Sequence, residues 1–271
     1  MNREEIKTKL DELKKQGKIV PPMSLIKTPE QIAGIRESAK INTELLDYIT
    51  PYMKEGVTTE EIDKLAYEFT ISKGAIPAPL NYEGYPKSVC ISINEVVCHG
   101  IPSKDRVLRS GDIVNVDVST IYKGYFSDAS RMFMIGNVPP AKQKLVEVTK
   151  EALELGLKEV KPWGHIGDIG AVIEAHATKH RYSVVREFCG HGVGNQFHED
   201  PYILHYGKRN TGMVMVPGMI FTIEPMLNMG SRQITVSRKD GWTVTTVDKK
   251  PSAQWEYTVL VTEEGAEVLT Y

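Results

Sequence analysis

Gly111-Asp112-Ile113-Val114-Asn115-Val116-Asp117 and Gly218-Met219-Ile220-Phe221-Thr222-Ile223-Glu224 are the two stretches that decide the fold of this chain. Each opens on a glycine, runs through strand-forming residues and ends on an acid six positions later (117 − 111 = 6; 224 − 218 = 6). A His-Gly pair precedes each one, His99-Gly100 and His191-Gly192. Further upstream the order of elements repeats as well. In the first half, Thr28-Pro29-Glu30-Gln31 reads as a capped helix start, and Thr58 with Glu61 opens a second helix that Gly74 closes. Ser88 to Ile93 reads as a strand. In the second half, Pro139-Pro140 precedes a helical pattern through Leu145, Val148, Leu153 and Leu157. Gly164 to His180 reads as another helix and Ser183 to Phe188 as a strand. Each half is helix, helix, strand, His-Gly, loop, strand, and a duplicated α+β unit accounts for the pattern. Two such halves packed about a pseudo-two-fold axis would bring their equivalent strands to one central site.

The acids in these strands are the functional signal. Alternate side chains of a strand share a face, so Asn115, Asp117 and Ser119 point one way and Val114, Val116 and Val118 the other. By the same rule Glu224 shares a face with Thr222, and Glu256 shares one with Gln254 and Thr258. Asp128 follows the aromatic stretch Tyr122 to Phe126. An ionised carboxylate buried alone takes up a proton in preference to staying charged, and several together repel. A divalent cation removes both costs. Four carboxylates plus His191, in the glycine-rich run Cys189 to Gly194, suit two metals about 3.5–4 Å apart with some carboxylates bridging. The competing reading puts each acid on the solvent face of a half-exposed sheet. The matched positions of Asp117 and Glu224 argue against it.

Composition bounds the alternatives. The chain has 271 residues, 41% hydrophobic and 25% charged, with a formal net charge of -2. That is an ordinary globular balance and gives no reason to expect a nucleic acid or an anionic membrane as partner. The charged amino terminus, MNREEIKTKLDELKK, has no apolar signal core, and no stretch approaches the ~18 apolar residues of a membrane helix. Residues 3–16 read as a short amphipathic helix with Ile6, Leu10 and Leu13 on one stripe, ended by Val20-Pro21-Pro22. Cys90, Cys98 and Cys189 form no CxxC pair, so a disulfide framework or a cysteine zinc site is not expected, and the cytosol is the expected compartment. His176 and His180 have the i, i+4 spacing of a zinc pair. Ala-Thr-Lys lies between them, with no glutamate after the first histidine, and the polar face of a surface helix explains them. His165 and His205 read equally well as hydrogen-bonding loop histidines. P-loop and GxSxG signatures are absent, and Gly190-x-Gly192-x-Gly194 lacks dinucleotide spacing.

The motifs Val97-Cys98-His99-Gly100-Ile101-Pro102, Gly111 to Asp117, Cys189 to Gly194 and Ile223-Glu224-Pro225 resemble those of the type I methionine aminopeptidases. The resemblance runs from about Thr28 to Tyr271. It implies an α+β pita-bread fold, two pseudo-symmetric α/β halves with a central antiparallel sheet covered by helices. Residues 28–271 would be the catalytic metallopeptidase domain and residues 1–27 an amino-terminal extension, which either docks the enzyme near nascent chains or packs on the domain. By this resemblance Asp117 ligates one metal, His191 and Glu224 the other, and Asp128 and Glu256 bridge. The ions would be cobalt, manganese, iron or zinc. Asn115 and Ser252 match positions that hold a monovalent cation in some relatives.

The implied reaction is removal of the amino-terminal methionine from nascent proteins and peptides, with a small second residue preferred. Two metals lower the pKa of a shared water, so that hydroxide exists near neutral pH to attack the first peptide bond. His99 and His198 would face the substrate, His198 stabilising the oxyanion and Glu224 shuttling the proton. Tyr82, Tyr85, Cys90, Phe197 and Trp242 match the methionine pocket. Pro79 and Glu83 depart from the cysteine and histidine of many bacterial members, which puts the pocket rim in question. The implied setting is a cytoplasmic monomer acting on nascent termini near the ribosomal exit, with no membrane and no nucleic-acid site. Two other readings stand beside it. An Xaa-Pro peptidase of the same fold usually carries a large amino-terminal domain. A metal-free binding protein would not need all five ligands.

Overall fold

The computed structural model describes residues 1–271. Helix α1 (Arg3–Lys15) is capped by Asn2 and buries Ile6 and Leu10. Helix α2 (Pro29–Ile49) starts at the expected box. Thr28 Oγ1 accepts from the Gln31 N–H at 3.2 Å, and the Gln31 carboxamide accepts from the Thr28 N–H at 2.8 Å. Helix α3 (Thr59–Ser72) repeats the device with Thr58 and Glu61. Helix α4 (Pro140–Lys158) begins on a proline at its first position, where the missing N–H costs no hydrogen bond. Helix α5 (Ile166–Lys179) begins at a box made by His165 and Asp168. No helix is long and apolar enough to cross a membrane.

The strands alternate as the sequence dictates. Strand Ile113–Tyr122 pairs along its whole length with Tyr125–Met134 and, on its other edge, with Cys90–Ile93. Its valines, Val114, Val116 and Val118, join Leu45, Leu46, Ile49 and Ile62 of α2 and α3 in one core. In the second half Ile220–Ile223 lies between Gly190–Gly192 and Tyr257–Val261 in a five-stranded sheet. Phe221, Ile223 and Val259 join the core of α4 and α5 there. Ile6, Leu10 and Ile26 belong to that same core, so the first 27 residues are seated on the domain. His165 fastens them further, with Nε2 3.2 Å from Lys18 Nζ and Nδ1 3.1 Å from the Gly212 carbonyl.

The repeat is visible in the backbone. Gly111 and Gly218 have φ of +96° and +95°, a region that a side chain disfavours, and each turns the chain into its acid-bearing strand. The polar faces of the two halves then meet. An isolated bridge joins Ser130 to Glu256, and Asn115 Nδ2 donates to the Gln254 carbonyl at 2.8 Å. One element departs from expectation. Of the stretch Ser183 to Phe188 only Ser183–Val184 pairs as a strand. After the Val185 N–H reaches the Met226 carbonyl, Arg186 is drawn aside by Glu174 and the Tyr206 ring. The chain then turns Glu187 and Phe188 into a cavity.

Candidate metal centre and substrate pocket

The two halves close on a cavity of about 380 Å³. Asp117, Asp128, His191, Glu224 and Glu256 line it, and so do His99, His198, Tyr82, Tyr85, Cys90, Phe197 and Trp242. The expected metal and substrate residues therefore line one cavity, while Asn115 and Ser252 do not line it.

Different backbone arrangements deliver the acids. Asp117 projects from the middle of its strand, with Cys90 on one side and Ser130 on the other. Asp128 lies across from Ser119, whose hydroxyl donates to Oδ1 at 2.8 Å. Glu224 sits one residue past the end of strand Ile220–Ile223. Its Oε1 accepts from Thr222 at 2.8 Å, its Oε2 from Gln254 at 3.1 Å, and its backbone N–H donates to His205 Nε2 at 3.1 Å. Glu256 fills the gap between strands Ser252–Gln254 and Tyr257–Val261 and is 2% exposed. The face that Glu224 shares with Thr222 holds, since Thr222 donates to it; Gln254 also donates to Glu224, and Thr258 donates to the Asp128 carbonyl at 2.7 Å.

His191 is poised as a ligand. Its Nδ1 lies 2.9 Å from the Gly192 carbonyl, which places the proton on Nδ1. The lone pair of Nε2 is left facing Glu224 at 3.6 Å and Asp128 at 3.7 Å. Both distances are too long for a hydrogen bond and suit two donors that face a common third atom. Ligand atoms of Asp128, His191 and Glu256 all lie within 4.8 Å of one another.

No lysine or arginine lines the cavity. Burial pushes Asp117 up to about 7, although it faces the cavity and keeps some exposure. Burial pushes Glu224 up to about 8, against the hydrogen bond from Thr222 and with the help of the Asp117 charge. Asp128 and Glu256 are held well above the usual carboxylate range, first by burial and then by the neighbouring acids. Burial lowers His191 to about 3, so its imidazole is neutral. Four mutually repelling carboxylates without a cationic side chain, joined by one neutral imidazole with a free lone pair, fit a pair of divalent metal ions.

Aromatic rings form much of the rest of the cavity wall. Phe197 and His198 stack at 4.3 Å, and Tyr82 meets Phe197 edge-on at 4.9 Å. Tyr85 meets Trp242 edge-on at 5.2 Å. His99, with φ of +56°, is packed between Phe188 at 5.3 Å and Trp242 at 6.0 Å. Burial lowers His99 to about 4, with His198 adding to the effect. Pro79 and Glu83 do line the same cavity. Asn115 and Ser252 are both 3% exposed. Sequence reasoning missed Cys98, Phe188, Cys189, Tyr202 and Met226, which also line the wall. Three of these had a signal: Cys98 adjoins His99, Cys189 is two positions from His191, and Met226 is two positions from Glu224.

Fold and site together define a metal-dependent hydrolase assembled from two halves. Residues 33–263 match metallopeptidase family M24, and the chain belongs to that family. It is 51% identical over 240 residues to a protein named methionine aminopeptidase A from Synechocystis, covering 89% of this chain and 94% of that one. The crystal structure of methionine aminopeptidase from Rickettsia prowazekii superposes with a TM-score of 0.89 at 48% identity, covering 91% and 99% of the two chains. Prolidase from Pyrococcus furiosus has the same fold at a TM-score of 0.72 and 25% identity, and this chain covers 65% of it.

Proposed function

We propose that this protein removes the amino-terminal methionine of peptides and nascent proteins, preferring a small second residue. The observation that carries the reading is the meeting of four uncompensated carboxylates and a neutral imidazole at the floor of an aromatic cavity. The identity to relatives named methionine aminopeptidase, about half of all residues over nearly their full length, supports it. The Xaa-Pro alternative has weaker support, since the prolidase shares the fold at 25% identity.

Asp117 would hold one ion, His191 and Glu224 the other, with Asp128 and Glu256 between them. Cobalt, manganese, iron and zinc all suit such a mixed donor set. When bound, the ions would supply a water acidic enough to ionise near neutral pH and a Lewis-acid position for the lone pair of the substrate's neutral amino terminus. The buried, neutral Asn115 Oδ1 has no donor, which supports a monovalent cation nearby. Soft apolar walls at Tyr82, Tyr85, Cys90, Phe197 and Trp242 would receive the methionine side chain. His198 Nδ1 lies 3.1 Å from the Tyr82 hydroxyl. If that hydroxyl donates, Nε2–H is free to donate to the oxygen of the scissile carbonyl as charge develops there. His99 contacts the scissile peptide. Glu224, fixed by Thr222 and Gln254, accepts a proton at one carboxylate oxygen and returns it to the departing amine.

We take residues 28–271 as the catalytic domain and residues 1–27 as its extension. The same reading makes emerging chains at the ribosome the substrate, in the cytoplasm, with the enzyme acting as a monomer. The test is an assay of Met-Ala-Ser, Met-Lys-Ser and Ala-Pro-Ser with added cobalt or manganese, and then with a chelator. Methionine release from the first peptide alone is the expected result. Activity that survives thorough chelation would overturn the metal centre, and cleavage of Ala-Pro-Ser would favour the Xaa-Pro reading.

A further inference from the structure

Away from the cavity, helices α4 and α5 bring together a second group of metal-ligating side chains. His176 lies in the last turn of α5 and His180 caps it. One turn apart on a helix, they share a face, and their ring centroids are 4.7 Å apart. In the sequence this pair has no third ligand. Folding supplies one from α4: Glu151 Oε2 lies 3.0 Å from His176 Nε2. One ligand atom from each of the three residues lies within 4.8 Å of the others.

We propose that Glu151, His176 and His180 form a peripheral site for a transition-metal dication of the imidazole-binding kind, with zinc as the representative ion. Two imidazoles and one carboxylate are a donor set that zinc takes in tetrahedral geometry, at about 2.0–2.2 Å per bond, with water in the fourth position. Tetrahedral bonds of that length set donors roughly 3.3–3.5 Å apart. The Glu151–His176 pair, at 3.0 Å, is close to that scale, and a His180 donor lies within 4.8 Å of both. His176 and His180 are partly buried and Glu151 is exposed, which leaves the fourth position open to solvent. Lys144 and Lys179 are the lysines whose charges act on His180, and Lys144 is engaged by Glu147 at 3.6 Å. The imidazole content separates this site from the carboxylate-rich centre, favouring zinc, copper and nickel over magnesium, calcium and manganese. Because the donors come from two helices, the ion binds the folded chain in preference to the unfolded one and clamps α4 to α5.

The experiment counts zinc. Chelator-stripped full-length protein is dialysed against micromolar free zinc and its metal content is measured beside that of the double variant His176→Ala/His180→Ala. The difference between the two reads the peripheral site whatever the central count is. The double variant should hold one equivalent fewer than wild type, keep its peptidase activity, and lose part of the zinc-dependent rise in Tm. Glu151→Gln, which keeps the shape and removes the charge, should raise the zinc dissociation constant of that equivalent. Equal zinc content in wild type and double variant would overturn the proposal and leave His176 and Glu151 as a surface ion pair.

Discussion

Asp117 and Glu224 stand at the same position of two repeated units, yet the fold holds them differently. Asp117 lies within a continuous strand that pairs on both edges, with Cys90 and with Ser130. Glu224 lies just beyond the end of its strand, so its backbone N–H has no ladder partner and is met by His205 instead. Its carboxylate is fixed by Thr222 and Gln254, a degree of support that Asp117 lacks. The histidines diverge in the same direction. His191 lies in extended backbone with Nδ1 tied to a carbonyl. His99 has a left-handed backbone and is held by aromatic packing. A duplicated scaffold thus supplies two similar polar faces. In the second half the strand breaks, and side chains take over the hydrogen bonds that a sheet would have made. That freedom aims Glu224 and His191 at one point.

The sharpest test sets the two histidines against each other. We expect His191→Ala to lose bound metal and peptidase activity together, with a rate loss beyond the roughly 10²–10³ of a single oxyanion donor. His99→Ala should keep its metal and lose rate or substrate affinity only. Elemental analysis beside steady-state kinetics decides it. Metal loss from both variants would erase the asymmetry between the halves.

The carboxylates offer a second test, through pH. Asp117 and Glu224 are raised from the ordinary range near 4 to about 7 and about 8. In chelated protein these carboxyls keep protons that the unfolded chain has released. His99, His191 and His205, lowered to about 3–4, lack protons that the unfolded chain holds up to about pH 6.5. The two effects oppose each other below that pH, and stability falls as pH rises from about 6.5 to about 8. Each pH unit in that window is worth up to about 1.4 kcal/mol per titrating group. Each kcal/mol moves Tm by about 2–4 °C in a chain of this size. Thermal melts should show the chelated protein losing stability from about pH 6.5 to pH 8 and the metal-loaded protein nearly level over that range. A chelated protein that is most stable at pH 8 contradicts the uncompensated cluster.

Much of this was legible because it is periodic or local. Helix caps at Thr28 and Thr58 are four-residue signals, and the inward face of strand Ile113–Tyr122 follows from alternation alone. The four acids of the metal centre were legible because they stand among apolar and aromatic strand residues, and His191 because it lies in a glycine-rich run. What was hidden depends on distance in space. His205 and Glu224 are 19 residues apart, and nothing in either loop marks the bond between them. Glu151 reaches His176 only because α4 and α5 pack, and a zinc pair read from α5 alone had no third donor. The strand expected over Ser183 to Phe188 failed because Arg186 finds better partners off the sheet. Ile6 and Leu10 form an amphipathic stripe, but nothing in the stripe marks their partners as lying in the second-half core.

His205 is the next test of how Glu224 is held. Burial lowers it to about 3, so it is neutral and its Nε2 accepts the Glu224 N–H. We expect His205→Ala to leave that N–H unpaired, costing about 1–3 kcal/mol of stability. Metal affinity should fall about 10–100-fold, as when an outer support of a ligand is removed. The corresponding substitution in the first half, Cys90→Ala beside Asp117, should leave metal affinity nearly unchanged, because the ladder holds Asp117 by its backbone. Metal titrations of the two variants decide it, and equal losses would mean that both acids depend on side chains alike.

The smallest effect concerns Tyr82, which belongs to the first half and acts on His198 of the second. With the Tyr82 hydroxyl donating to Nδ1, the proton of His198 is kept on Nε2, where the developing oxyanion needs it. Tyr82→Phe preserves the edge-on packing against Phe197 and removes only that hydrogen bond. A net hydrogen bond is worth about 0.5–1.5 kcal/mol, so kcat should fall roughly 2–10-fold, with metal content and KM unchanged. His198→Ala should cost about 10²–10³ in kcat with metal retained, and loss of metal there would overturn its assignment. If Tyr82 acts through His198, adding Tyr82→Phe to His198→Ala changes kcat no further, since the two are then one unit. Additive losses would instead mean that the Tyr82 hydroxyl acts on the substrate directly and not through His198.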